Sequence, residues 1–139
     1  RPPILKEDLR KIEVYDETGI LLAQTNSSFR VLETASPPTF YIPPSDVLVE
    51  LQPVAGSTFC EWKGAASYFA HKGLRLAWRY DNPSDRFSLI DGYYSFYASL
   101  ADCRVDGERV QAQAGDFYGG WITKEVVGPF KGDPGTTGW

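Results

Sequence analysis

Short runs of alternating apolar and polar residues, each cut off by a turn signature, constrain this chain more than any other feature. Residues 11–15 set Ile12 and Val14 against Glu13, Asp16-Glu17-Thr18-Gly19 supplies a turn, and residues 20–24 return as a second strand. Residues 29–33 read as a third strand after Asn26-Ser27-Ser28. Pro37-Pro38 breaks it, residues 39–42 resume extended backbone, Pro43-Pro44 breaks again, and residues 48–51 alternate once more. A second hairpin runs through residues 67–70 and 74–80 across His71-Lys72-Gly73. Residues 85–90 suit one short helix, 93–97 a strand, and 103–110 a third hairpin turning at Asp106-Gly107. Almost no helical period survives these interruptions. The pattern predicts an all-β fold, an antiparallel pair of sheets with at most one or two short helices.

The two ends read differently. Arg1-Pro2-Pro3-Ile4 suggests a polyproline-like strap, because each Pro fixes its own φ and restricts the residue before it. From Gly115 onward glycines and prolines punctuate a segment studded with Phe117, Tyr118, Trp121, Phe130 and Trp139, with no strand period. Large rings at that density predict an irregular strap pinned by aromatic anchors. The 139 residues then form a single domain: an N-terminal strap (1–10), a β core (11–114) and a C-terminal strap (115–139).

Charge and composition exclude several functions. The formal charge is −4 and the 14 Lys and Arg residues are scattered, which argues against a nucleic-acid polymer as partner. No apolar stretch approaches the roughly 18 residues that cross a bilayer, and the first residues lack a basic-then-apolar leader, so no membrane partner and a cytoplasmic location are expected. Cys60, Cys103 and His71 fall short of the roughly four ligands of a structural zinc site, so neither a metal nor a cofactor is expected; spacing alone does not decide whether the two cysteines bond. His71 sits at a turn, a poor position for a catalytic triad, and residues 128–132 lack the ending of a phosphate-binding loop.

Candidate ligand contacts cluster in a few places. Trp62-Lys63-Gly64 sets a flat ring beside a point charge at a residue that allows sharp turning. Arg30 and Glu33 stand three apart on one strand and therefore point to opposite faces. Trp78 and Tyr80 share a strand face, and Tyr97 stands on the face opposite Tyr94 and Phe96, so paired strands could wall a cage for a flat ligand. Each of these has an ordinary alternative as core, turn or solvated surface.

At Cys60-Glu61-Trp62-Lys63-Gly64, with Ala66 and Tyr68 following, the sequence resembles domain-of-unknown-function family 427 (DUF427), labelled nucleotidyltransferase-like in some classifications. Its longer bacterial members are similar at Arg30-Val31-Leu32-Glu33-Thr34, at Ala77-Trp78-x-Tyr80, at residues 117–123 and 127–132, and at both ends of the chain. The resemblance implies a β-tent-like pair of sheets, held by zinc in several relatives and here lacking the zinc cysteines. It also implies an aromatic-lined pocket.

The expected function is small-molecule binding in a hollow between the two β layers. Trp62, Trp78, Tyr80 and Tyr97 would wall it, Lys63 and Arg30 would meet an anionic or nucleotide-like ligand, and Glu33 would orient Arg30. Two alternatives stand beside it. One is a nucleotidyltransferase-like enzyme with Glu33 or Asp102 as base; the other is an interaction module that buries its rings in a partner or a second copy. The oligomeric state is not readable from these residues.

Overall fold

The computed structural model describes residues 3–115, 118–131 and 133. Among the described residues, thirteen short strands and two 3₁₀ turns make an all-β architecture. In chain order these are β1 (Ile4–Asp8), β2 (Ile12–Tyr15), β3 (Leu21–Thr25), β4 (Ser28–Leu32) and β5 (Thr39–Tyr41). After a 3₁₀ turn at Pro44–Asp46 come β6 (Gln52–Cys60), β7 (Gly64–His71) and β8 (Leu74–Tyr80). A second 3₁₀ segment, Asp85–Ile90, kinks at Phe87 and precedes β9 (Tyr94–Phe96). The rest are β10 (Asp102–Val105), β11 (Glu108–Arg109), β12 (Gln111–Ala112) and β13 (Trp121–Ile122).

Every strand pairing is antiparallel and follows from local turn chemistry. The Asp16 carboxylate accepts hydrogen bonds from the Thr18 and Ile20 backbone N–H groups at 2.8 and 2.9 Å, closing the β2–β3 hairpin. Lys72 and Gly73, at φ 49° and 79°, make the two-residue β7–β8 turn, and Asp106 and Gly107 do the same for β10–β11.

Two layers result. Strands β1-β4-β5 form one sheet and β9-β8-β7-β6 another; reciprocal Ile42–Tyr94 backbone bonds of 2.7 and 2.9 Å join them into seven strands. The second layer is β11-β10-β2-β3, extended by a bridge from Ala23 to Val47. Ile12, Val14 and Leu22 from the smaller layer meet Phe40, Leu76 and Phe96 from the larger, all essentially fully buried. Trp121 completes this core. Its ring stacks on Phe40 at 4.7 Å and its indole N–H donates to the Phe96 carbonyl at 2.9 Å. The space between the layers is therefore filled. The hollow expected there lies instead on the opposite face of the seven-stranded layer, where alternation sends Tyr41, Tyr68, Trp78, Tyr80 and Tyr97 into a second cluster.

Three local expectations are corrected. Residues 4–8, expected in a strap, form the edge strand β1, whose mostly exposed side chains leave no alternation to detect. Residues 48–51 are not a strand; the extended run starts at Gln52, and its side chains are exposed or half-buried throughout, so no apolar face marked it. The C-terminal segment does hold a strand, β13, paired with β12. Of its expected anchors, Phe117 and Trp139 lie outside the described residues, as do Arg1 and Pro2 and the motif residues Gly132 and Pro134-Gly135. Cys60 and Cys103 are both free thiols, and burial between the layers pushes the Cys103 thiol well up.

The C-terminal segment is tied back by charge. Arg10 grips the buried Asp8 carboxylate through Nε and Nη2 at 3.0 and 2.7 Å, Arg30 Nε lies 3.1 Å from the same group, and Arg10 Nη1 reaches Glu125 at 2.7 Å. Burial alone would raise the Asp8 pKa, but the hydrogen bonds and charge of Arg10, with Arg30 behind them, hold it below the ordinary carboxylate value. A lowered folded-state pKa means stability that is present above about pH 4 and lost as pH falls through the folded value. Asp8→Asn is expected to cost about 2 kcal/mol near neutral pH, less than a fully buried pair because both guanidinium groups reach solvent. It should also flatten the acid limb of stability against pH, measured by urea unfolding from pH 7 to 3. A wild-type acid limb retained in the variant would show that Asp8 is not its source.

Candidate functional site

The aromatic face of the larger layer surrounds a cavity of about 150 Å³. Its floor is laid by register. Tyr68 pairs with Trp78, two large rings side by side, while Ala66 pairs with Tyr80, where a small residue opposite a large one leaves room above it. The rings brace one another: Tyr41 meets Trp78 edge-on at 6.2 Å, Tyr41 and Tyr80 lie 6.2 Å apart, and Trp78 and Tyr97 lie 4.6 Å apart. The Arg75 guanidinium backs the Tyr68 ring at 4.3 Å without lining the cavity.

The ammonium enters from the β6–β7 hairpin. Glu61-Trp62-Lys63 make the turn and Gly64, at φ +97°, reverses the chain; nothing crowds a Cβ there, so the requirement is conformational. This geometry points the Lys63 side chain inward and leaves Trp62 40% exposed. Lys63 is 5% exposed, its Nζ lies 2.6 Å from Glu33 Oε1, and it sits 5.5 Å from the Tyr80 ring centroid. Glu33 keeps 38% of its side chain accessible and so marks the mouth.

The C-terminal segment forms the roof. Gln113 clips it, accepting from the Gly120 N–H at 3.2 Å and donating to the Lys131 carbonyl at 2.6 Å. Gly119 lies against the outer rim of the Trp78 six-membered ring, so close that any Cβ would overlap it.

Burial and near neighbours together set the protonation states. Burial works against a charged Lys63, yet Tyr41 and the Glu33 charge and hydrogen bond together hold its pKa above the ordinary value. Burial, then the neighbouring Tyr41, pushes the Tyr80 hydroxyl far up, and burial with Tyr68 takes Tyr97 up to about 12. Near neutral pH the site thus presents an ammonium and neutral hydroxyls. A charged amine donates hydrogen bonds but does not attack carbonyls, which requires the opposite shift. Thr39 contributes a buried hydroxyl for which the described residues supply no partner.

Five of the seven residues expected to meet a ligand line this one cavity: Glu33, Lys63, Trp78, Tyr80 and Tyr97. Arg30 does not line it and pairs with Asp8, while Glu33 pairs with Lys63 in place of Arg30. Trp62 turns outward, its carbonyl accepting from Ser84 Oγ at 2.6 Å. Asp102 lies in the smaller layer, paired with Arg104. Tyr41, Tyr68, Thr39 and the roof around Gly119 line the cavity without any sequence signal that marks them as ligand contacts. Tyr68 was masked by a bulge: a two-residue turn alone would set it opposite Ala77, and the register shift at Leu76 moves it opposite Trp78.

Fold and site together define an all-β protein with an aromatic cluster around a buried lysine on one face of its larger layer. The chain belongs to the family described as Domain of unknown function (DUF427), whose model matches residues 5–111. That match covers the strands that wall the cavity and ends before the roof. No curated protein matches the chain. Among the described residues no helix is long and apolar enough to cross a membrane, and no group of three or more His, Cys, Asp or Glu is arranged to hold a metal ion.

Proposed function

We propose that the protein binds a small molecule in the cavity between the aromatic face and the C-terminal roof, with the ligand's polar end at Lys63 and Glu33. The observation that carries this reading is a buried ammonium held inside a ring-walled space that side chains do not fill. Volume limits the ligand. About 150 Å³ matches the order of size that takes up one benzene ring (~150 Å³), so a single ring enters. A nucleotide-like ligand would leave its sugar and phosphate outside. A nucleotidyl-transfer reading finds less support, because two-metal chemistry uses paired carboxylates and the described lining contributes Glu33 alone.

Gly119→Ala tests the site. A methyl group there must displace the roof or the Trp78 ring, at a cost of about 1–3 kcal/mol from overpacking. A panel of single-ring metabolites is expected to raise the melting temperature of the wild type saturably, and the variant should lose that response while remaining folded. Stabilisation that survives the substitution unchanged would move binding elsewhere.

A further inference from the structure

We infer that Glu33 sets the charge class of the ligand: by pairing with Lys63 it makes the cavity select an uncharged ring bearing an amide over an anionic ring. The inference rests on the binding reading above and narrows its ligand.

An anion entering a buried site needs a cation that is not already neutralised. The described lining offers Lys63 alone, and Glu33 Oε1 occupies it at 2.6 Å. The two nearest guanidinium candidates do not help. Arg30 is held by Asp8, and Arg75 lies behind the Tyr68 ring, outside the lining. An incoming carboxylate or phosphate would meet the Glu33 charge together with the electron-rich faces of Tyr41, Tyr80 and Trp78. A cationic ligand is opposed by Lys63 itself.

What the pair does present is a donor beside an acceptor. Lys63 has three N–H donors and the described residues take one; Glu33 has a second oxygen at the accessible mouth. An amide places a C=O acceptor next to an N–H donor and so satisfies both without adding net charge. The Thr39 hydroxyl, buried in the same wall without a partner among the described residues, adds a further polar group. One ring with one amide substituent also suits the volume.

Three probes of nearly equal size separate the charge classes: benzamide, benzoate and protonated benzylamine. Their dissociation constants are measured by two-dimensional NMR titration at pH 7, followed at the Trp78 indole and Ala66 methyl signals. The wild type is expected to bind benzamide at least tenfold more tightly than either charged probe. Glu33→Gln, which frees the Lys63 charge, should tighten benzoate at least tenfold and reverse the order. Benzoate binding as tightly as benzamide to the wild type overturns the inference and leaves the cavity reading standing. A benzamide preference that persists in Glu33→Gln overturns the role of Glu33. No saturable shift with any probe overturns the inference and the cavity reading together. If Glu33→Gln fails to fold, the wild-type ranking of the three probes decides alone.

Discussion

Trp121→Ala is expected to bring the protein close to global unfolding at room temperature. The indole is fully buried where the layers meet, and truncating a Trp in a core costs about 3–5 kcal/mol. Its loss also leaves the Phe96 carbonyl without the indole donor, which adds about 1–3 kcal/mol if no water replaces it. Domains of this size hold about 5–15 kcal/mol in total, so the variant spends most of the reserve. Trp121→Phe keeps a ring against Phe40 and loses the N–H, and should cost clearly less. Urea unfolding monitored by circular dichroism measures both. An alanine variant within about 1 kcal/mol of wild type would mean that the core between the layers does not depend on this residue.

Lys63→Met should have the opposite character, large in binding and small in stability. Replacing a buried ion by an apolar side chain of similar length is often neutral or stabilising, because the desolvation cost disappears. Removing one partner is severe when the other stays buried and charged, but Glu33 keeps 38% of its side chain accessible and can return to water. Folding stability is therefore expected to stay within about 1 kcal/mol of wild type, or to rise. The stabilisation conferred by single-ring ligands should vanish. A loss above about 3 kcal/mol would identify the Lys63–Glu33 pair as a structural tie and count against a binding role.

How much of this was legible in the sequence depends on which residues alternate. The three hairpins could be read because Ile12 and Val14, Trp78 and Tyr80, and Cys103 and Val105 lie beside strong turn residues. Edge strands β1 and β6 could not, since an edge with both faces largely exposed has no apolar period. Lys63, Trp78 and Tyr80 stood out as a charge beside a Gly turn and as rings on one strand face. Tyr68 escaped because the bulge at Leu76 changes which residues face each other, and a bulge leaves no trace in a two-residue period. The Glu33–Lys63 partnership joins residues 30 positions apart and depends on how the β6–β7 hairpin folds over β4, which spacing does not encode. The roof reads in sequence as an aromatic strap, but its tight contact comes from Gly119, a residue that matters by what it lacks.

The most direct test of the account is to map where a single-ring ligand sits. Intermolecular nuclear Overhauser effects are recorded between ring protons of the tightest-binding benzene derivative and the methyl and aromatic-ring protons of the protein. Contacts to Val31 and Ala66, both in the cavity wall, are expected, and none to Ile12 or Val14 in the filled core between the layers. Contacts confined to the outer face of the smaller layer, around Tyr15 and Arg104, would contradict the cavity reading, as would saturating ligand with no contact to Ala66.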